Sequence, residues 1–473
     1  MPDCSTNHIE TFRKTFLQRW LGWRGVVLFF VLMLISLPFL YRGYRLGQVP
    51  VLDPPFDVEE FTRPIPDDEN AYHGFEQAYG ELVDVPDAEY EAYNAQLETG
   101  WDLGTDVLER HLDNNRRALK TWRETCELDQ YQPHPYQTQD DGPLIPVIDS
   151  RELCRLAEIQ IQKSAKLGTP KKALPWIRAS LRHAYLIRQR GPINNYQVGV
   201  AYFSSSSCVI NDWSSHPQLT RTELDEAIQE LVTARQLNPE FSEVLKAECL
   251  ANASLYELWS VELDQHVHDT IGSGEVRLGS NWRAWLEGEP AYTVRLFPHM
   301  AQNHLRFIHR DRRDRPAIIH GSVFDATASS PSKSSLLTSH ELDTLISQSL
   351  ISGQSWLSSG LRATDRDEAR YRCLLVALAA QAYFRDHGEF PADAAELIPE
   401  YLDEIPDDLY SPTPAPLIYR RDGEGAVVYS RFENEIDDGG LEVDYSERSV
   451  SNELLELGYR IRSPLTQPLY APK

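Results

Sequence analysis

The sequence predicts a mainly α fold: an irregular helical-hairpin layer, a small C-terminal α+β module of one helix and an antiparallel hairpin, and one N-terminal transmembrane helix. Three observations carry that prediction. An uncharged apolar run covers residues 25–41, apolar residues recur at helical spacing through much of the chain, and two β-branched or aromatic stretches flank Asp422-Gly423-Glu424-Gly425.

GVVLFFVLMLISLPFLY, residues 25–41, is continuous with Trp20, Leu21 and Trp23 on its N-terminal side. With those flanks it reaches the roughly 20 residues a helix needs to cross about 30 Å of hydrocarbon. Trp20, Trp23, Tyr41 and Tyr44 bracket it as interfacial aromatics do. Four basic residues precede the span and Arg42 and Arg45 follow it, which predicts a basic cytoplasmic tail over 1–24 and a main body outside the membrane. RGYRLGQVP offers no small-x-small cleavage site, so a retained anchor is expected rather than a cleaved signal peptide.

Charge divides the chain in the same way. The 473 residues carry a net charge of -25, yet residues 1–48 hold six basic residues against Asp3 and Glu10, which leaves -29 on the rest. So acidic a body argues against nucleic acid as a partner, because phosphate binding needs a basic surface that releases counterions. A hydrophobic content of 41% with 10% aromatics argues against global disorder.

VPVLDPPFDVEEFTRPIPDD is proline-rich and acidic, and residues 46–70 are expected as an extended stalk. A helical-hairpin domain is expected over 71–328. Asp149 or Ser150 can cap a helix that runs to about Lys166, and Thr169-Pro170 starts a second that closes at Gly191-Pro192. In it Leu174, Ile177, Leu181 and Ala184 make one apolar stripe, with Arg178, Arg182 and Arg188 mostly off it. A helix around Tyr196 to Val209 follows, then one opened by the capping box Thr220-x-x-Glu223, and after Asn238-Pro239 another to about Leu263. The turn Gly168 to Leu174 echoes a tetratricopeptide turn, but these helices are too unequal for a regular repeat.

Cys126, Cys154, Cys208, Cys249 and Cys373 are odd in number and form no CxxC pair, so buried thiols are expected rather than a disulfide framework or a zinc site. The serine-rich stretch 329–343 is a linker that ends in the capping box Thr338-x-x-Glu341. From 344 to 473 lies the C-terminal module. Its clearest helix is residues 367–387, with nothing polar from Cys373 to Ala380, and its hairpin is APLIYRR and GAVVYSR.

The run from Tyr371 through AYFRDHGEFP, AAELIPEYLDEIPDD, PLIYRR, VVYS and IDDGG resembles the globular domain of the major, G-type pseudopilins of type II secretion. That resemblance implies a helix paired with a small sheet and a calcium site in the loop after the sheet's middle strand. PPFDVEEF, DDENAYHGFEQAY and the central hairpins ending near IRQRG are similar to an uncharacterised group of bacterial single-pass membrane proteins with the same pseudopilin-like tail. Two features depart from the pseudopilin pattern: about 320 residues separate the span from the helix, and Phe30 stands where a glutamate follows the prepilin cleavage site.

The acidic loop YSRFENEIDDGG carries hard oxygen donors of the type calcium takes. Asn434, Glu435, Asp437, Asp438 and Asp444 form the candidate calcium set; a charged turn with Gly439-Gly440 is the alternative. As an EF-hand it fails, because Asp438 stands where glycine is needed when Glu433 is the first ligand. On the pseudopilin-like pattern Asn434 replaces an aspartate and Glu435 a glycine, and a side chain at a glycine position opposes the turn.

No GxSxG, HExxH, Walker A or GxGxxG string is present, so no catalytic residue is assigned. His266 and His268 are expected at an exposed helix end, and His299, His304 and His309 share no helical face and are expected solvated or capping. RFIHRDRRDR, residues 306–315, is expected as a solvated basic helix face, with lipid headgroups or the acidic body as other docking sites. These features together imply a membrane-anchored, extracytoplasmic binding or assembly protein of the cell envelope with a protein partner. The alternatives are a hydrolase-type enzyme with a site between helical layers, or a secretion pseudopilus-related subunit.

Overall fold

The apolar run lies inside one unbroken helix, α1 (Thr6–Gly47), which continues past both expected ends of the span. From Gly22 to Gly47 it is long and apolar enough to cross a membrane, with a hydropathy of 2.1 and none of its most apolar window buried. The structure, a computed structural model, describes residues 6–99, 101, 106–133, 145–255, 280–310, 312–315, 318–319, 322–323, 337–349, 356–437, 439 and 457–464. Helices dominate them, with one small three-stranded antiparallel sheet and a two-stranded ladder.

Residues 46–70 are not a free stalk. They contain a short helix, α2 (Val58–Phe61), and Val49, Phe61 and Ile65 are buried. The apolar residues between the prolines explain the correction, because they meet a body surface on which to bury: Val49 packs with Tyr292 and Leu296. Helices α3 (Ala71–Gly80), α4 (Tyr90–Thr99), α5 (Asp106–Asn114) and α6 (Arg116–Thr125) follow. Asn70 holds this entry in place, donating to the Gln132 carbonyl at 2.9 Å and accepting from Tyr72 N–H at 3.1 Å.

The central hairpins are α7 (Ile145–Lys166), α8 (Leu174–Leu186), α9 (Ile193–Ser214) and α10 (Arg221–Arg235). The second of them starts later than Thr169-Pro170 suggests, because Pro170–Ala173 forms a 3-10 turn first. Leu174, Ile177, Leu181 and Ala184 are buried as their stripe requires. Arg182 and Arg188, expected off the stripe, are buried too, because each finds a full set of acceptors: Arg182 donates to Leu128 O at 2.9 Å and to the Asp129 carboxylate. Gly199 permits the close approach of α8 and α9, since a Cβ there would lie 2.5 Å from the Ala184 carbonyl oxygen. The Thr220/Glu223 capping box opens α10 as expected. Residues 241–255, α11, are helical; the expected continuation to Leu263 lies outside the described residues.

A second, smaller core gathers Val49, Tyr292, Leu296, Phe297, Met300 and Leu342. It is built by α13 (Ala291–Leu305) and α14 (Ser339–Ser347), while α12 (Ser280–Leu286) packs on α1. Thr338 and Glu341 cap α14 reciprocally, so the end of the expected linker is helical. Between α13 and α14 the two-residue strands β1 (Ile318–Ile319) and β2 (Ser322–Val323) pair.

Helix α15 (Trp356–His387) begins before Asp367, the expected start, because its first turns pack too: Leu361 joins Phe241 and Ile193 in a local cluster. Cys373, Leu374 and Val376 through Ala380 are fully buried, as a helix covered on more than one side requires. α9 and α10 cover one side. β4 and β5 of the sheet β3 (Ile418–Asp422), β4 (Gly425–Ser430) and β5 (Leu457–Ile461) cover the other. The β3–β4 hairpin turns at Asp422-Gly423-Glu424-Gly425 as expected, while β5 is an addition whose Leu457, Tyr459 and Ile461 face inward. One apolar core therefore runs from Phe75 through Leu181 and Leu224 to Leu378 and Ile461, across the boundary expected at 329–343.

Candidate functional site

Strand β4 delivers the chain into the acidic loop, where Phe432 and Glu435 both adopt positive φ, 60° and 61°. Glu435 thus holds a left-handed backbone conformation of the kind that favours glycine. Its side chain points to the basic run, pairing with Arg312 at 2.9 Å, and Glu433 pairs with Arg366 at 2.8 Å. Asn434 Oδ1 accepts Ile436 N–H at 3.0 Å, and Asp437 Oδ1 accepts Tyr429 O–H at 2.9 Å and Gly439 N–H at 3.1 Å. The three described members of the candidate calcium set are therefore engaged within the loop or with arginine. Asp438 and Asp444 lie outside the described residues. Among the described residues, no three His, Cys, Asp or Glu side chains are grouped to hold a metal ion.

The basic run is solvated only in part: Arg306, His309, Arg310 and Arg313 are exposed, yet the run also docks on the acidic body. Arg315 makes two 2.9 Å bonds to Asp365, Arg312 reaches Glu435, and Arg313 donates to the Asp408 carbonyl. Docking on the acidic body was an alternative for this run; the acceptors lie on α15 and on the loops beside it. His309 is exposed as expected and His304 lies in the last turn of α13, but His299 and His304 are buried rather than solvated, and His299 Nε2 lies 2.9 Å from the Pro50 carbonyl of the entry segment. His266 and His268 lie outside the described residues.

Four of the cysteines are buried and Cys208 is half-buried, all as free thiols. Cys154 Sγ lies 3.2 Å from His183 Nδ1, a pair that sequence gave no reason to join because one comes from α7 and the other from α8. Phe75, Trp122 and Tyr202 ring the imidazole. Burial pushes the thiol well above its usual range and the imidazole down to about 3, so both are neutral. A cysteine nucleophile needs the opposite shifts; this is a packing pair.

A second buried group joins the hairpins to α15. Arg188, fully buried on the end of α8, forks onto Asp367 at 2.7 and 3.0 Å. It also donates to Ala184 O, Asn238 Oδ1 and Gly199 O, and Tyr185 and Tyr196 flank it. Arg235 adds a 2.8 Å bond to Asp367 and a second to Glu368.

A concave surface lies just outside that joint, a groove of about 640 Å³ between α10, α15 and residues 399–407. Its apolar floor is Ile228 and Val232 of α10 with Tyr371 and Leu375 of α15, all half-buried. The rim is acidic: Glu368, Glu400, Asp403, Glu404 and Asp407 against the single base Arg372. Arg372 is committed to Glu368 and to the Asp407 carbonyl, and Arg221 neutralises Glu400. Asp403, Glu404 and Asp407 are exposed and make no ion pair among the described residues. The chain reaches this geometry through two anchors, Leu402 buried in the core and the Asp408 carboxylate bonded to Ser430, Arg431 and Tyr410 N–H. The acid run in LDEIPDD was a visible signal, but the groove was not, because its floor comes from α10.

These features define a mainly helical chain with a small antiparallel sheet and one N-terminal helix fit to cross a membrane. Comparison with known protein families, with curated proteins and with solved structures finds no match.

Proposed function

We propose that the chain is a membrane-anchored binding or assembly protein of the cell envelope, whose groove between α10 and α15 receives a cationic, partly apolar segment of a protein partner. The observation that carries this is the groove's pairing of an apolar floor with an open acidic rim, Asp403, Glu404 and Asp407. A lysine or arginine of the partner meets the rim while an apolar neighbour covers Val232 and Leu375. The exposed apolar length of α1 supports the anchor, and the basic residues before it support a cytoplasmic N-terminus with the acidic body outside. A likeness of the C-terminal part to the major pseudopilins rests on the sequence run from Tyr371 to IDDGG.

The test is photocrosslinking in the native envelope from a probe at Val232, in the full chain. Capture of a defined partner should fall at least tenfold on Asp403→Lys with Glu404→Lys and should weaken as salt rises. Capture that ignores both charge reversal and salt would overturn the proposal.

A further inference from the structure

Helix α12 packs on the C-terminal end of α1 rather than on the main core. Trp285 meets the Phe39 ring edge-on at 5.3 Å, the Arg42 guanidinium lies 5.0 Å over the indole, and Arg42 also donates to the Trp285 carbonyl. The next turn of α1 is tied to the residues after α12. Tyr41 O–H donates to Glu287 at 3.3 Å, and Arg45 pairs with Glu287 at 3.0 Å. Leu46 closes the contact over Gly288, where a φ of 89° would strain any larger residue and a Cβ would lie 3.3 Å from the Leu46 side chain.

That packing leaves one side of α12 uncovered. Trp282 stacks on Trp285 at 5.0 Å and 17° but remains half-exposed, as does Leu286, and Arg283 is exposed. On a helix these three positions span an arc of about 100°, with Trp282 at its edge beside Trp285 and Arg283 about 160° from Trp285. Their height is set by α1. A rise of about 1.5 Å per residue carries the twenty or so residues from Gly22 to Tyr41 across about 30 Å, the hydrocarbon thickness. Phe39, Tyr41 and Arg42, the partners of α12, therefore stand at the boundary where the apolar length ends. Indole, guanidinium and leucine on one exposed face suit that boundary, the indoles at headgroup level and the arginine reaching phosphate.

We infer that Trp282, Arg283 and Leu286 form an interfacial contact with the lipid surface that α1 crosses, so that α12 fixes the height of the acidic body above the bilayer. This rests on the membrane reading of α1, and the test separates the two. The full chain, with Cys4→Ser and Cys208→Ser, is reconstituted in lipid nanodiscs with a nitroxide at Arg283→Cys, Leu34→Cys or Asp225→Cys. Collision with oxygen and with a water-soluble nickel complex then reports depth. The expected result is a label at 283 with a depth between a buried 34 and a fully aqueous 225. An aqueous 283 beside a buried 34 overturns the lipid contact and leaves the span intact; an aqueous 34 overturns the span itself.

Discussion

Arginine–carboxylate joints occur in two settings in this chain, and the setting decides what they do. At the centre, Arg188 and Asp367 are both fully out of solvent, and every polar atom of the guanidinium has a partner. At the edge, Arg312 and Arg366 reach Glu435 and Glu433 across half-exposed surface. The attraction between the charges is of one kind; desolvation is not. A buried pair is worth keeping only while it is complete, because removing one member strands the other in a low dielectric. An exposed pair can be lost to water or exchanged for another ion at little cost. The central joint accordingly locks α8 and α10 to α15, and the edge pairs only position the acidic loop.

The largest effect should come from breaking the central joint. Arg188→Ala leaves Asp367 buried with Arg235 alone, and stability should fall by about 3–5 kcal/mol. Urea unfolding of the full chain in detergent reads this directly. Arg188→Met combined with Asp367→Leu should recover part of the loss, since the two fully buried charges go together while Arg235 keeps only Glu368. A loss under about 1 kcal/mol for Arg188→Ala would place the two joints in one class.

A buried neutral group sharpens the same contrast through pH. His183 titrates near 3 when folded, below its unfolded value of about 6.5, so the unfolded state binds the proton first as pH falls. Its contribution to stability is complete above pH 6.5 and is lost progressively as pH falls toward 3. Glu158, pushed up to about 7 by burial, works in the opposite sense: its contribution is complete below its unfolded value and lost as pH rises through 7. Only a variant separates them. His183→Phe should flatten the fall in stability between pH 6.5 and 4, leaving Glu158 as it was, and an unchanged slope would show that His183 is not sealed from protons.

How much of this was legible depends on whether a signal is local. The stripe of Leu174, Ile177, Leu181 and Ala184, the two capping boxes and the β3–β4 turn are patterns within a few residues, and they fold as written. Arg188 and Arg182 were misplaced because a buried arginine is recognised by its acceptors, and those come from residues far along the chain. The groove was invisible for the same reason: LDEIPDD shows its acids, but Val232 and Leu375 supply its floor from two helices. The stalk misled because proline and acid dominate its composition, while Val49 and Phe61, which decide its fate, are few.

The smallest effects belong to the acidic loop, and there calcium discriminates. Arg312→Ala or Arg366→Ala should cost no more than about 1 kcal/mol, in the range of exposed pairs. A cation that draws on Glu435 and Asp437 must first take Glu435 from Arg312, so binding is opposed by the native pair. Any rise in melting temperature with millimolar calcium should therefore be larger in Arg312→Ala than in the native chain, and Asp437→Ala should abolish it. Equal melting with and without calcium in both backgrounds would leave the loop as a charged turn, closed by the Glu435 N–H to Phe432 carbonyl bond and the pair with Arg312.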